Sequence, residues 1–493
     1  MNRRAALLIA LAFSLECIVL IPLLGPQQDE VLFASVLLKP YDYTHHLVIG
    51  PVTVATMLDF YLGALKAWLY APLVRWFDTN VYALRLPVVA LGAATIYLVY
   101  WCLEQTSGRR AALFAAILLA ADPTFILTTT FDWGPCVLQR FLLAAIFAGA
   151  IIYVRRPSAL IAAAVGLMTG LALWDKLSFI WLAAGCAAAC LAVFHRELRQ
   201  SLRLSAGIAL LVGALLGAFP ALDANWGAMA EARARSAMLI ESPLLVKAWR
   251  LWLTLDGSAL YLSFSNTPNG PAHLGAWLLV ALLAAIPLWW RGPHRRAILF
   301  AALAGLGSAS LMFATRGGAA GVHHTSLLWP LPPMLLGLLL AGLSRRALAT
   351  ALLAVVTLGA GWVTASYRLA ILDSGAAIAW TDASPALARY LEETNIQAAY
   401  LQDWGISGPM RYLGANRFTL ADTSGDPLAN FRYAIPSPDN VFVFHPVDRQ
   451  IMPGKREQLD AFAATLGAVP KVVKTIYDRY GHPAFIVVRY TPR

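Results

Sequence analysis

AALLIALAFSLECIVLIPLL, residues 5–24, decides how this chain reads, together with Gly25-Pro-Gln-Gln-Asp-Glu30 behind it. A helix rises 1.5 Å per residue, so twenty such residues span about 30 Å, the thickness of a bilayer's hydrocarbon. The basic start, Met1 to Arg4, resembles the head of a signal peptide. However, Pro26, Gln27 and Gln28 make a poor small-residue cleavage site, and the run is long for a signal sequence. It is therefore expected to remain as a first membrane helix with its N-terminus in the cytoplasm.

Ten further apolar runs follow the first: 82–103, 111–127, 137–154, 158–174, 177–194, 204–221, 274–290, 297–314, 327–343 and 347–365. Composition agrees. The 493 residues are 59% hydrophobic and 13% charged, against roughly 25% charged in a soluble domain. The net charge of +11 could suggest nucleic acid. Its arginines, though, stand in short clusters between the runs: Arg3 and Arg4, Arg109 and Arg110, Arg155 and Arg156, Arg196 to Arg203, Arg291 to Arg296, Arg345 and Arg346. Alternating the runs across a bilayer puts every cluster on one side, the positive-inside pattern, so no nucleic-acid partner is expected. The five cysteines all lie in or beside apolar runs, and Cys186 and Cys190 lack further ligands for zinc.

The fold class expected is an α-helical polytopic membrane protein of about eleven transmembrane helices with a small C-terminal α/β soluble domain. Residues 1–366 form the membrane module and 367–493 the soluble domain, both ends of the division being set by composition. Within the latter, Ser384–Glu393 and 454–466 read as helices, and 398–402, 441–445 and 484–490 as strands. A long first outer loop covers 25–80, and its stretch Met57 to Phe77 reads as an amphipathic segment lying in the interface.

Alternation also collects polar residues on the side opposite the arginines. Asp29 and Glu30 follow the first span directly, where carboxylates are costly unless paired or functional. Two neighbouring acids, partly desolvated, would separate in pKa and leave one as a general base; the bland reading is a solvated turn. Asp132 sits in Thr-Phe-Asp-Trp-Gly-Pro and could simply cap the next helix. Asp175 and Lys176 could pair with each other, or Lys176 could hold a phosphate. Arg140, one turn into a span, should face the bundle interior. His323 and His324, beside Arg316 in a glycine-rich loop, suit an anionic headgroup. His45 and His46, with Asp29 and Asp132, could ligate a divalent ion, although the spacing matches no metal signature.

The order Asp29-Glu30, Tyr-Leu-Gly-Ala-Leu (61–65), Tyr82-Ala-Leu-Arg-Leu-Pro87, Gly108-Arg-Arg-Ala-Ala-Leu-Phe114, Ala121-Asp-Pro-Thr-Phe125 and His323-His324 before a Pro-rich span resembles the GT-C glycosyltransferases. The likeness is to the dolichyl-phosphate-mannose–protein mannosyltransferase-like group and its bacterial members, which include the lipid A aminoarabinose transferases. It implies a GT-C-like fold and transfer of a sugar from a polyprenyl-phosphate-linked donor to an acceptor hydroxyl on the outer face, usually with inversion. It implies that Asp29 deprotonates or orients the acceptor, and that Glu30 and Asp132 assist with acceptor or metal. Lys176, Arg140, His323, His324 and Arg316 would then bind the donor phosphate, where negative charge develops. The partners implied are the lipid donor, the membrane, and an acceptor that is protein, lipid or glycan. A bacterial inner membrane, with the C-terminal domain in the periplasm, is the location implied. The chain lacks the inserted luminal domain of the protein mannosyltransferases, which weighs against a protein acceptor. The competing class is a polytopic transporter or lipid flippase, which would place charges near the midplane on broken helices and relate its halves by a repeat.

Overall fold

A computed structural model of the chain describes residues 4–201, 203–227, 241–265, 270–284 and 292–493. Arg3, Arg291 and the far end of the run to Trp290 lie outside these residues. Among the described residues, eight helices are long and apolar enough to cross a membrane. They are Arg4–Leu23, Val81–Ser107, Val137–Arg155, Phe179–Ser201, Leu204–Trp226, Arg295–Ala314, Val322–Gly342 and Arg346–Ser374. The pair Arg109–Ala121 and Pro123–Thr130 makes a ninth if counted as one span, bent by 58°. The bend has a chemical cause: Asp122 caps the second helix through the amide of Phe125 at 2.8 Å, and Pro123 cannot continue the first. Two shorter apolar helices, Ala159–Asp175 and Gly275–Ala284, fall on the remaining two expected runs.

The helices preceding residue 228 are named α1 (Arg4–Leu20), α2 (Leu65–Trp76), α3 (Val81–Ser107), α4 (Arg109–Ala121), α5 (Pro123–Thr130), α6 (Val137–Arg155), α7 (Ala159–Asp175), α8 (Phe179–Ser201) and α9 (Leu204–Gly227). Leu7, Leu8, Leu11 and Leu15 of α1 and Leu211, Leu216 and Phe219 of α9 are exposed, as lipid-facing positions should be.

The tightest helix contact joins α7 and α9 through Gly166 and Gly170 on one and Gly213 and Gly217 on the other. A Cβ on Gly170 would stand 2.2 Å from the Ala214 carbonyl oxygen, so only a small-residue stripe permits this approach. Gly170→Leu is expected to destabilise the chain by about 1–3 kcal/mol or more through overpacking. The thermal unfolding midpoint in detergent measures it. Gly361→Ala is the matched control, since a Cβ there meets nothing within 4 Å.

Residues 45–63 differ from the expected loop. β1 (His45–Ile49), β2 (Val52–Asp59) and β3 (Leu62–Gly63) form an antiparallel sheet, turned at Gly50, whose φ is +60°. Met57 to Asp59 therefore belong to a strand, and the amphipathic segment expected over 57–77 is helical only from Leu65. The β-branched run Val52-Thr-Val-Ala-Thr favours strand over helix. The twelve residues of α2 reach about 18 Å, too short to cross.

The C-terminal sheet has the order β5-β4-β6-β8-β7, from β4 (Ala398–Leu401), β5 (Leu420–Asp422), β6 (Asn440–Phe444), β7 (Ala468–Tyr477) and β8 (Pro483–Pro492). β4 runs parallel to both β5 and β6, while β8 is antiparallel to β6 and β7. The helices Ser384–Glu393 and Lys455–Thr465 fall where the sequence put them. β5 and β7 were not foreseen, and both are sheet edges. Pro470, Lys471 and Lys474 blunt β7 against edge pairing and so hide its strand pattern.

One buried cluster joins Val31, Phe33, Ala34 and Tyr70 to Leu387, Met410 and Tyr412. The sheet domain is thus packed onto the loop that carries Asp29. Gly25 donates its amide to the Trp380 carbonyl at 2.8 Å, and the Gly408 amide donates to Gln28 Oε1 at 2.7 Å.

Candidate active site

The site begins with a buried arginine. Asn80 caps α3, its Oδ1 accepting from the amides of Tyr82 and Ala83 at 2.9 and 3.0 Å. Arg85 follows one turn later and is wholly buried. Its Nε and Nη2 donate to the two oxygens of Glu30 at 2.7 and 2.8 Å. Its Nη1 and Nη2 also reach the carbonyls of Ile21, Leu24 and Gly25 at 2.6, 2.7 and 2.8 Å. The guanidinium fork therefore satisfies carbonyls left over where α1 ends, and holds the 25–30 turn against α3. Glu30 is placed as the counter-ion of this staple, with both oxygens occupied.

Asp132 lies between two elements. One oxygen accepts from the amides of Cys136 and Val137 at 2.8 and 3.0 Å, the helix-capping role read from its sequence context. The other accepts from Lys66 Nζ at 2.8 Å, and Lys66 also donates to the Glu30 carbonyl at 3.2 Å. Burial alone would raise the Asp132 pKa, but the Lys66 ammonium and the two amides outweigh it and hold the carboxyl below its usual range.

Asp29 is different. It is half-buried, and Oδ2 accepts from the Trp133 indole at 3.0 Å, while its own amide donates to Gln27 Oε1 at 2.6 Å. Oδ1 has no hydrogen bond to the described residues. Burial pushes the Asp29 pKa up, against the lowering pull of the Trp133 bond, the Lys176 charge and Gln27. Asp29 and Asp132 thus move in opposite directions, the pattern that separates a base from a fixed anion.

Opposite stand the nitrogen groups. Lys176 is buried, and its Nζ donates to the Gly134 carbonyl at 2.6 Å. Gly134 has φ +66°, and a Cβ there would come within 2.8 Å of the His323 Cβ, so the turn admits only glycine. Arg140 faces the interior as expected and is wholly buried. Its Nε donates to the Ser326 carbonyl at 3.0 Å, leaving Nη1 and Nη2 without partners among the described residues. The rings of His323 and His324 lie 4.3 Å apart, against Trp133 at 5.4 Å and Trp181 at 5.6 Å respectively. Neither histidine's Nδ1 has a partner among the described residues.

Asp175 does not pair with Lys176, one of the two readings of that hairpin. Both its oxygens are buried without a hydrogen bond, although Lys66 and Lys176 act on it electrostatically. Gln139, next to Arg140, donates to the Lys176 carbonyl at 3.0 Å and leaves its own oxygen unpartnered. Ser178 and Ser326 add two more orphaned hydroxyls. Buried polar atoms without partners are expensive, so their gathering around α6, the end of α7 and residues 323–326 marks a place completed by a ligand or water.

The remaining candidates go elsewhere. Arg316 is half-exposed and directed to Glu241 at 3.8 Å. His45 bonds to Thr56 Oγ1 at 2.7 Å and faces Asp223 at 3.6 Å, while His46 packs edge-on against Tyr43. Among the described residues, no group of three or more His, Cys, Asp or Glu side chains is arranged to hold a metal ion. Uncommitted carboxylate oxygens are found on Asp29 and Asp175. Lys66, Arg85, Trp133 and Gln139 were not singled out from the sequence. Arg85 carried the same signal as Arg140, a lone arginine one turn into an apolar run.

No protein-family model matches the chain, and no curated protein sequence matches it. Solved structures do. ArnT from Cupriavidus metallidurans bound to undecaprenyl phosphate is similar at a TM-score of 0.65 and 14% identity, over 97% of each chain. Its apo state is similar at 0.63 and 13% identity, over 94% of this chain and 93% of that one. The Archaeoglobus fulgidus oligosaccharyltransferase tethered with an acceptor peptide is similar at 0.50 and 13% identity, over 95% of this chain and 69% of that one. The chain therefore has the GT-C fold of membrane enzymes, the fold that its sequence resemblance implied.

Proposed function

We propose that this chain is a membrane glycosyltransferase that moves a sugar from a polyprenyl-phosphate-linked donor to an acceptor hydroxyl. The reaction takes place on the side opposite the arginine clusters, the periplasmic face of a bacterial inner membrane, where the C-terminal domain also lies. One observation carries the reading. A half-buried carboxylate with one oxygen off the Trp133 bond, Asp29, feels the Lys176 charge and shares Trp133 with His323, which packs against His324, while two Arg140 nitrogens stay unpartnered among the described residues.

The chemistry balances across that site. The acceptor oxygen attacks the anomeric carbon as its proton passes to Asp29 Oδ1. The bond from that carbon to the phosphate oxygen breaks, and its electron pair leaves with the polyprenyl phosphate. Lys176 and the Arg140 nitrogens meet the charge that develops there, and attack from the far side inverts the anomeric centre. Glu30, Arg85, Asp132 and Lys66 hold the loop geometry, and Lys66 adds a further positive charge. The bound undecaprenyl phosphate of the similar ArnT structure supports the lipid class of the donor.

The test is sugar transfer by the reconstituted full chain from a synthetic, labelled polyprenyl-phosphate sugar. Arg140→Gln is expected to lower turnover by about a hundredfold, the usual loss for one charge-stabilising donor. Wild-type turnover in that variant would remove Arg140 from the phosphate site, and no release of polyprenyl phosphate by the wild-type chain would sink the reading.

A further inference from the structure

The C-terminal sheet is wound in both directions at one place. β4 and β6 are parallel neighbours, yet the chain leaves β4 for the helix Ser407–Gly414 and leaves β6 for the helix Lys455–Thr465. Met410 and Leu413 of the first pack in one core layer, and Leu459 and Ala463 of the second pack in the other. The two helices therefore cover opposite faces, so the carboxyl ends of β4 and β6 are a topological switch point. Doubly wound sheets bind their ligands at such points.

The two loops that follow β4 and β6 are locked together. Asp403, two residues after β4, accepts from His445, directly after β6, at 2.8 Å. It also accepts from the amides of Trp404 at 2.9 Å, Ile451 at 3.0 Å and Met452 at 2.8 Å. Asp403 and His445 are both fully buried in this knot. In the same loops, Trp404 is 39% exposed, Ile451 38% and Val447 57%. Gln402, fully buried at the same strand end, donates to Thr423 Oγ1 at 2.6 Å and leaves Oε1 without a partner. A partly exposed indole in the loop after β4, beside a rigid polar knot and with an orphaned amide oxygen at the same strand end, suits a ligand that has apolar faces and many hydroxyls.

The loop after β4 also leads to the turn that carries the candidate base. Trp404 precedes Gly408 by four residues, a reach of at most about 14 Å. The Gly408 amide is held by Gln28, the residue before Asp29.

We propose that Trp404 and the switch point between β4 and β6 form an acceptor subsite that binds a saccharide, stacking a sugar ring on the indole so that a hydroxyl is presented toward Asp29. The proposal rests on the glycosyltransferase reading and supplies its acceptor class. A peptide acceptor is disfavoured here because strand addition needs a sheet edge, and the edges are β5 and β7.

The experiment is saturation-transfer NMR on the full chain in nanodiscs, with chitotriose, maltotriose and mannotriose as probes and an uncharged nonapeptide as comparison. At least one trisaccharide should receive signal at its ring protons. About a tenfold loss is expected in Trp404→Ala, with recovery in Trp404→Phe. No signal for any trisaccharide, signal for the peptide alone, or signal unchanged in Trp404→Ala overturns the subsite. Donor cleavage by the wild-type chain, followed separately as polyprenyl phosphate release, reports on the transferase reading, so the two can fail independently.

Discussion

Asp29→Asn is expected to lower sugar transfer by about 10²- to 10⁴-fold while the chain still folds and binds its donor. Asparagine keeps the size of the side chain and can still accept from the Trp133 indole, so the 25–30 turn keeps its contacts. What it loses is the ability to take a proton. The wild-type pH profile carries the same assignment. A base works only when deprotonated, and burial raises the Asp29 pKa, so transfer should fall as pH drops through a value above the ordinary carboxylate of about 3.9. That acidic limb should vanish in Asp29→Asn, leaving a low, flat rate. Full activity in the variant, or an unchanged acidic limb, would assign the base elsewhere.

Arg85→Leu is expected to destabilise the chain by about 3–5 kcal/mol, the usual consequence of stranding one partner of a buried ion pair. The Glu30 carboxylate would lose both of its bonds to the guanidinium, and the carbonyls of Ile21, Leu24 and Gly25 would lose theirs. The unfolding midpoint in detergent measures the loss. The double variant Glu30→Met with Arg85→Leu should recover part of it, because the buried charge is gone while the carbonyls remain unpaired. If the double variant is no more stable than Arg85→Leu, the pair is not what holds this turn.

These two substitutions separate neighbours that the sequence presented as a unit. Asp29 and Glu30 are adjacent, equally acidic and equally close to the end of α1. Strand-like or helical geometry cannot decide between them, because the turn sends one side chain to Arg85 and the other to Trp133. The partner that decides, Arg85, stands fifty-five residues away along the chain. Lys66 and Trp133 were invisible as site residues for a similar reason, since a lysine in an amphipathic stretch and a tryptophan near an interface have ordinary explanations.

The spans were legible because they answer to a one-dimensional rule. A bilayer demands apolar runs of a certain length, and arginine clusters stay on one side of it. Their order, the side that collects Asp29, Asp132, Lys176, His323 and His324, and the α/β character of the C-terminal domain follow from that rule and from periodicity. The sequence by itself determined a many-span membrane chain with its reactive groups gathered at one end. Only the tertiary structure decided which of those groups are spent on each other and which are left free. It occupied Glu30 with Arg85 and Asp132 with Lys66, turned His45 and Arg316 elsewhere, and, among the described residues, left one Asp29 oxygen, both Asp175 oxygens and two Arg140 nitrogens without partners. Hydrogen bonds and ion pairs are set by distances of about 3 Å between residues remote in sequence, and no local pattern encodes them.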